Sequence, residues 1–322
     1  MSGRLALVIT FVFVDLLGYS LFLPLLPYYA DTFGVGPTLV GLLVASNALA
    51  QLLAAPTVGR LSDRFGRRPM LIFSIAGTVV SFVLLGLVEP LGGMVTRLTG
   101  GAIPTGAAAI VMLFVSRTLD GLAGGNASLA RAYISDVTDE EDRAKGLGMV
   151  GAAFGLGFMI GPALGGILSN WPAATAAFAA QGLSRYAVPA FSAATLAALN
   201  LLAVILWLPE SLSEEERETL RRNPRTAFSP RLMIEALKRP RFGALLQIRF
   251  FYMLAFAIFT ANFALYTQYR LGLGDQSTSY ILAYVGVLVV LVQGFAIGRL
   301  TQRFGEVGMR AMFLLSMCLT ME

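Results

Sequence analysis

Charged side chains lie deep inside long apolar runs at Asp15 and at Arg117 with Asp120, three residues apart. The chain has no histidine, the side chain most often used for proton relays, so any proton coupling must fall to carboxylates. A desolvated carboxylate holds its proton more tightly, and an approaching arginine weakens that hold. Asp15 with Arg117 is therefore a candidate proton-exchange pair. The plainer alternative is an intrahelical ion pair between Arg117 and Asp120, with Asp15 bound structurally to a neighbouring helix. Phe11, Tyr19 and Phe22 lie near Asp15 along its helix. With one cysteine, Cys318, no intramolecular disulfide forms, and no clustered residues suggest a metal, a bound cofactor or a catalytic nucleophile.

The elements that position these groups are membrane spans. Hydrophobic residues make up 56% of the chain and charged ones 13%, with mean hydropathy +0.72. Soluble domains carry roughly 25% charge. Apolar segments of spanning length occur at about 5–28, 38–58, 69–88, 107–130, 146–168, 187–208, 243–267 and 278–298, and a ninth begins near 309. An N-terminus inside the cytoplasm places nineteen of the 24 Lys and Arg in cytoplasmic positions and three in outer loops. The net charge of +5 is dispersed among turns, which argues against a nucleic-acid partner. Expected partners are protons, a hydrophobic small molecule and the bilayer, with the protein monomeric in a plasma membrane or an organelle membrane such as the vacuole.

Between spans 2 and 3 the chain reads Gly59-Arg-Leu-Ser-Asp63-Arg64-Phe-Gly66-Arg67-Arg68-Pro69. A weaker copy, with Gln302 and Arg303 in place of Asp63 and Arg64, occupies 298–305. The repeat implies two related halves: a six-span bundle at 1–208, a cytoplasmic linker at 209–241, and a second, partial bundle at 242–322. Within the linker, Ser213 with Glu216 is expected to cap a short helix through Arg222, and Ser229-Pro230 to open another. Thr138 with Glu141 forms a second candidate capping box before span 5.

Other polar or patterned positions suggest a cavity. Asn47 and Gln51 lie one turn apart on span 2, either lining a cavity or binding two helices together. On span 7, Tyr252, Phe256, Phe259, Phe263 and Tyr266 form one aromatic face beside Asn262, a candidate wall for a flat hydrophobic ligand. Span 8 adds Gln293. Span 5 carries Gly151, Gly155, Gly157, Gly161-Pro162 and Gly165-Gly166, a surface for close packing or for a helix that pivots.

These motifs resemble the major facilitator superfamily. The turn at 59–69 is similar to its signature, Arg117 with Gly121 to its span-4 motif, and Gly151 to Gly166 to the antiporter motif of its drug–proton exporters. The run from Asp136 through Ala144 and the Leu-Pro-Leu-Leu-Pro after Asp15 resemble its tetracycline-efflux branch. The resemblance implies an all-α fold of two six-helix bundles, with a central site and alternating access. It also implies that Asp63 holds a cytoplasmic gate shut against neighbouring arginines and a helix N-terminus in the other half. Family members have twelve spans, so the C-terminal half is expected to be truncated here. The expected function is proton-coupled export, without enzymatic activity and powered by a proton gradient. A facilitator or uptake carrier of the same fold, or a non-transporting fragment, are the alternatives.

Overall fold

The computed structural model describes residues 3–222, 230–239 and 242–291. Gln293, Gln302 and Arg303, the second arginine turn and the ninth span lie outside the described residues. Within them the chain is helical. Span 1 comprises α1 (Gly3–Phe22), a 3-10 turn at Leu23–Leu25, and α2 (Leu26–Asp31). The interruption falls at Pro24 and Pro27, where missing N–H groups break the helical ladder. The chain continues through α3 (Pro37–Phe65), α4 (Arg67–Gly86), α5 (Val88–Leu98), α6 (Thr105–Ala123), α7 (Asn126–Val137) and α8 (Glu140–Ser169). After α9 (Pro172–Ala179) come α10 (Ala187–Trp207), the linker helices α11 (Glu214–Arg222) and α12 (Pro230–Lys238), then α13 (Phe242–Tyr269) and α14 (Asp275–Leu291). Seven helical segments among the described residues are long and apolar enough to cross a membrane.

Three local expectations need correction. The arginine turn is almost wholly helical: α3 runs to Phe65 and α4 starts at Arg67, leaving Gly66 alone between them. Span 4 is not one helix, because α6 and α7 are separated at Gly124–Gly125. Thr138 does not cap α8; its hydroxyl donates back to Ile134 O at 2.6 Å, and Asp139 precedes the helix. The linker follows the sequence closely. Ser213 N donates to Glu216 at 2.9 Å and Glu216 N donates to Ser213 Oγ at 3.2 Å, the reciprocal pair of a capping box. That bonding holds the exposed Glu216 carboxyl below its ordinary pKa.

Helix α1 sits at the centre of the first bundle, packed against α8 and α10, while α4 joins α10 to α6 and α3 flanks α6. Two apolar clusters fill this bundle. One, towards the end where α1 meets α2, includes Phe22, Leu25, Tyr29, Phe82, Leu113 and Tyr186. The other, towards the end where α3 meets α4, includes Val8, Phe11, Leu71, Ile75, Tyr133 and Val204. Between them runs a belt of polar side chains from α1, α3, α4, α6 and α7.

Candidate functional site

The belt is built around the break in span 4. Separating α6 from α7 frees backbone groups that hydrocarbon cannot hydrate, so side chains must satisfy them. Ser74 of α4 does this twice, donating to Ala123 O and accepting Gly125 N–H at 3.3 Å. Gln51 of α3 donates to Gly124 O at 2.7 Å. The break brings Asn126, at the first turn of α7, against α1, and its Nδ2 donates to Asp15 Oδ1 at 2.6 Å. Asp15 is half-buried and Asn126 buried.

Arg117 bonds elsewhere. Its Nη1 lies 3.5 Å from Asp120 Oδ2, its Nη2 donates to Ser81 Oγ at 3.4 Å, and its guanidinium sits 5.5 Å from the Phe82 ring centre. The pairing is thus the intrahelical one with Asp120. Asn47 Nδ2 donates both to Arg117 O and to Asp120 Oδ2, each at 3.0 Å. Gly121 permits this approach, since a Cβ there would collide with the Asn47 carbonyl. Asn47 and Gln51, read from sequence as cavity lining or interhelical glue, both take the second role.

Aromatic rings continue from Asp15 towards the second half. Tyr19 lies 6.3 Å from Phe158, which stacks on Phe154 at 4.8 Å and meets Phe256 of α13 edge-on at 6.0 Å. Of the span-7 stripe, Phe256 is the member brought against a ring of the first bundle. Phe259 and Phe263 pair with each other at 5.1 Å, and Tyr252 lies 5.8 Å from Arg249. Tyr252, Phe259, Asn262 and Tyr266 are exposed, and Asn262 Nδ2 donates to Ile258 O on its own helix. The stripe therefore does not form one continuous wall against the first bundle.

The glycines of α8 divide between two partners. Cβ atoms on Gly161 and Gly165 would strike Ser20 and the Leu21 carbonyl of α1, and one on Gly157 would lie 3.1 Å from Leu16 Cβ. Gly166 faces Ser279 of α14, while Met159 of α8 fills the space beside Gly286. Gly151 and Gly155 have nothing within 4 Å of an added Cβ. Pro162 lies inside α8 and is buried.

At the junction of α3 and α4, Arg67 is 2% exposed and shared between two acids, Asp63 Oδ1 at 2.7 Å and Asp136 Oδ2 at 3.0 Å. It also donates to Ser62 Oγ. Glu210, just past α10, accepts Arg67 N–H at 2.8 Å and Arg68 N–H at 3.1 Å, so its charge caps the N-terminus of α4. Gly66 adopts φ +108°, and any Cβ there would overlap the Glu210 carboxylate. The backbone angle requires glycine, and a side chain would also displace the capping carboxylate. Arg68 reaches Ile205 O at 2.6 Å, Arg64 lies 5.4 Å from the Phe65 ring, and Gly59 stands in open space.

The family model for the Major Facilitator Superfamily matches residues 8–321. The chain belongs to the major facilitator superfamily. It is 31% identical over 315 residues to the class C tetracycline resistance protein of Escherichia coli, covering 95% of this chain and 69% of that one. It is 27% identical over 299 residues to multidrug resistance protein 2 of Bacillus subtilis (strain 168), covering 92% and 66%. The crystal structure of the human organic anion transporter MFSD10 (TETRAN) superposes with TM-score 0.63 at 22% identity, over 91% of this chain and 71% of that one. That of a D-xylose–proton symporter gives 0.62 at 18%, over 93% and 69%. Matches running over 95% of the chain give no support to the expected truncation.

Among the described residues of this facilitator bundle, hydrogen bonds between the halves gather at the end opposite the α3–α4 junction. Tyr28 OH bonds Thr278 Oγ1 at 2.6 Å and Leu273 O at 3.1 Å. Asp31 accepts from Gln268 at 3.0 Å and from Tyr269 at 3.1 Å. Asp275, 4% exposed at the start of α14, accepts from Ser169 at 2.9 Å and pairs with Arg185 at 3.2 Å. Burial beside Asp275 pushes the Tyr186 phenol up to about 12. Sequence reasoning missed Asn126, Phe154, Phe158, Glu210 and Asp275. Only the Gly124-Gly125-Asn126 triplet carried a local signal, the breaker pair before a polar residue.

Proposed function

We propose that this facilitator is a proton-coupled exporter of hydrophobic small molecules. The observation that carries the reading is Asp15. It is a carboxylate at membrane depth, held by one neutral amide, one turn before Tyr19 and its aromatic row to Phe256. An acid in that position exchanges a proton as its neighbours move, and the rings offer a cargo flat apolar faces spanning both halves. The names of the tetracycline and multidrug resistance relatives agree with such a cargo class. Arg117 and Asp120 stand beside this site as an internal ion pair whose separation would alter the field at Asp15. The proton gradient supplies the energy, with no bound cofactor. The protein works as a monomer in a plasma or vacuole-type membrane with its N-terminus cytoplasmic.

Asp15→Asn tests the assignment. In proteoliposomes with an imposed pH gradient and a panel of hydrophobic dyes, the wild-type chain should move dye against its gradient. Asp15→Asn should abolish that coupled movement while keeping the thermal stability of the bundle, since Asn preserves shape and hydrogen-bonding capacity. Wild-type pumping by the variant would refute it. Dye movement that ignores the pH gradient in both proteins would instead mark a facilitator.

A further inference from the structure

The broken span does more than interrupt a helix. Ala123 O and Gly124 O at the break accept from Ser74 and Gln51, and Gly125 N–H, bonded to Ala123 O at 2.7 Å, also reaches Ser74 Oγ, so the break is a built feature and its geometry is fixed. It delivers the N-terminus of a twelve-residue helix, and the amide of Asn126, to Asp15. Asn126 is 5% exposed, and its Oδ1 is buried without a hydrogen-bond partner. Its Nδ2 has a second, longer contact with Thr78 Oγ1 at 3.5 Å.

An amide beside a carboxyl serves both of its protonation states. The N–H donates to the carboxylate, and after rotation of the amide the carbonyl oxygen accepts the O–H of the acid. The unpartnered Oδ1 is the acceptor that the second state requires. We infer that Asn126 is the positioning residue for proton exchange at Asp15, presenting a donor to the charged form and an acceptor to the neutral one. This inference rests on the reading of Asp15 as the proton carrier. The charged and titratable groups around Asp15 are Tyr19 on its own helix and Arg117 and Asp120 on α6. From α4 comes Thr78, from α10 Asn200, which donates to Phe11 O at 3.2 Å, and from α8 the rings of Phe154 and Phe158. Arg117 is bonded to Asp120 and Ser81, which leaves Asn126 as the group bonded to the Asp15 side chain.

The test needs no knowledge of the cargo. Infrared difference spectra of the purified full chain in lipid, recorded across pH, follow the protonated-carboxyl band, and Asp15→Asn identifies which part of it belongs to Asp15. Asn126→Ala removes both bonds, and because a hydrogen bond to a charged group is the stronger, the charged form loses more: the Asp15 midpoint should move to higher pH by about one unit, a tenfold change. If that variant does not fold, the isosteric Asn126→Asp decides. Two coupled carboxyls should then titrate in two separated steps, and one step at the wild-type midpoint would overturn the inference. A band unchanged in Asp15→Asn would show that Asp15 is not the titrating acid, and the parent reading falls with it. A band that vanishes in Asp15→Asn but keeps its wild-type midpoint in Asn126→Ala defeats the role of Asn126 alone.

Discussion

Arg67 illustrates how one side chain can hold a motif together. It is buried, it sits between Asp63 and Asp136, and its own backbone N–H is taken by Glu210. Three acids from three parts of the chain thus converge on the start of α4. Asp63→Asn removes one charge but leaves Arg67 paired with Asp136, so the folded bundle should survive. The fixed negative charge at the end of α3 is lost, and with it the proposed gate contact. Transport should fall by an order of magnitude or more while insertion and thermal stability stay near wild type. Arg67→Ala is different. It removes the cation that Asp63 and Asp136 share, a loss in the range of ~3–5 kcal/mol for breaking a buried pair. Thermal unfolding in detergent should separate the two variants, with Arg67→Ala clearly the less stable. Equal stability would mean that the acids are hydrated and the arginine is not their main partner.

Helix α8 shows what was legible at the scale of the element and what was not. Its glycine spacing announced a close-packed surface, and the structure places Gly157, Gly161 and Gly165 against α1. Sequence did not reveal that Gly166 faces α14, or that Gly151 and Gly155 face open space, because spacing fixes a face and not its neighbour. The spans were legible for the same reason that limits detail: each is a long apolar run whose bounds are set by charge. The break in span 4 was not, since Gly124-Gly125 reads equally as a packing pair until Ser74 and Gln51 are seen to complete its hydrogen bonds. The aromatic stripe on α13 was visible as a periodicity, yet one ring alone meets a ring of the first bundle. The pairing of distant segments, Glu210 with Arg67 or Asn126 with Asp15, leaves no local pattern, even where Gly124-Gly125 marks the break before Asn126. Gly165→Leu should therefore force α1 and α8 apart, costing at least the ~1–3 kcal/mol of an overpacked core, with loss of both stability and transport. Gly155→Ala should leave thermal stability unchanged. A Gly165→Leu protein as stable as wild type would show that α1 and α8 do not meet as closely as the structure has them.

At the scale of the molecule, the two halves are fastened at one end, the outer one in the proposed orientation, by side chains that must let go for a cargo to leave. Asp275 carries the most concentrated of these contacts: it is buried, its charge is met by Arg185 across the interface, and Ser169 and Asn170 supply further donors. Tyr28 and Asp31 add a second patch on the neighbouring helix. Deeper, α8 and α14 touch through Gly166 against Ser279 and through Met159 against Gly286, each glycine letting the facing helix come close. Alternating access in such a bundle requires the outer contacts to part while this glycine contact persists. A reversible lock across the outer seam should therefore stop the cycle. With Cys318 replaced by serine, the chain has no cysteine of its own, so Ser169→Cys with Asp275→Cys introduces one pair whose side chains already touch. Oxidation should join the two, seen as resistance to a thiol-reactive polyethylene glycol, and gradient-driven dye transport should cease. Reduction should restore it to the level of the unoxidised pair. The double variant gives up the Asp275–Arg185 ion pair, so the comparison is made between its oxidised and reduced forms and not with wild type. Undiminished transport by a fully cross-linked protein would mean that the outer ends never separate, and that the cargo leaves by another route.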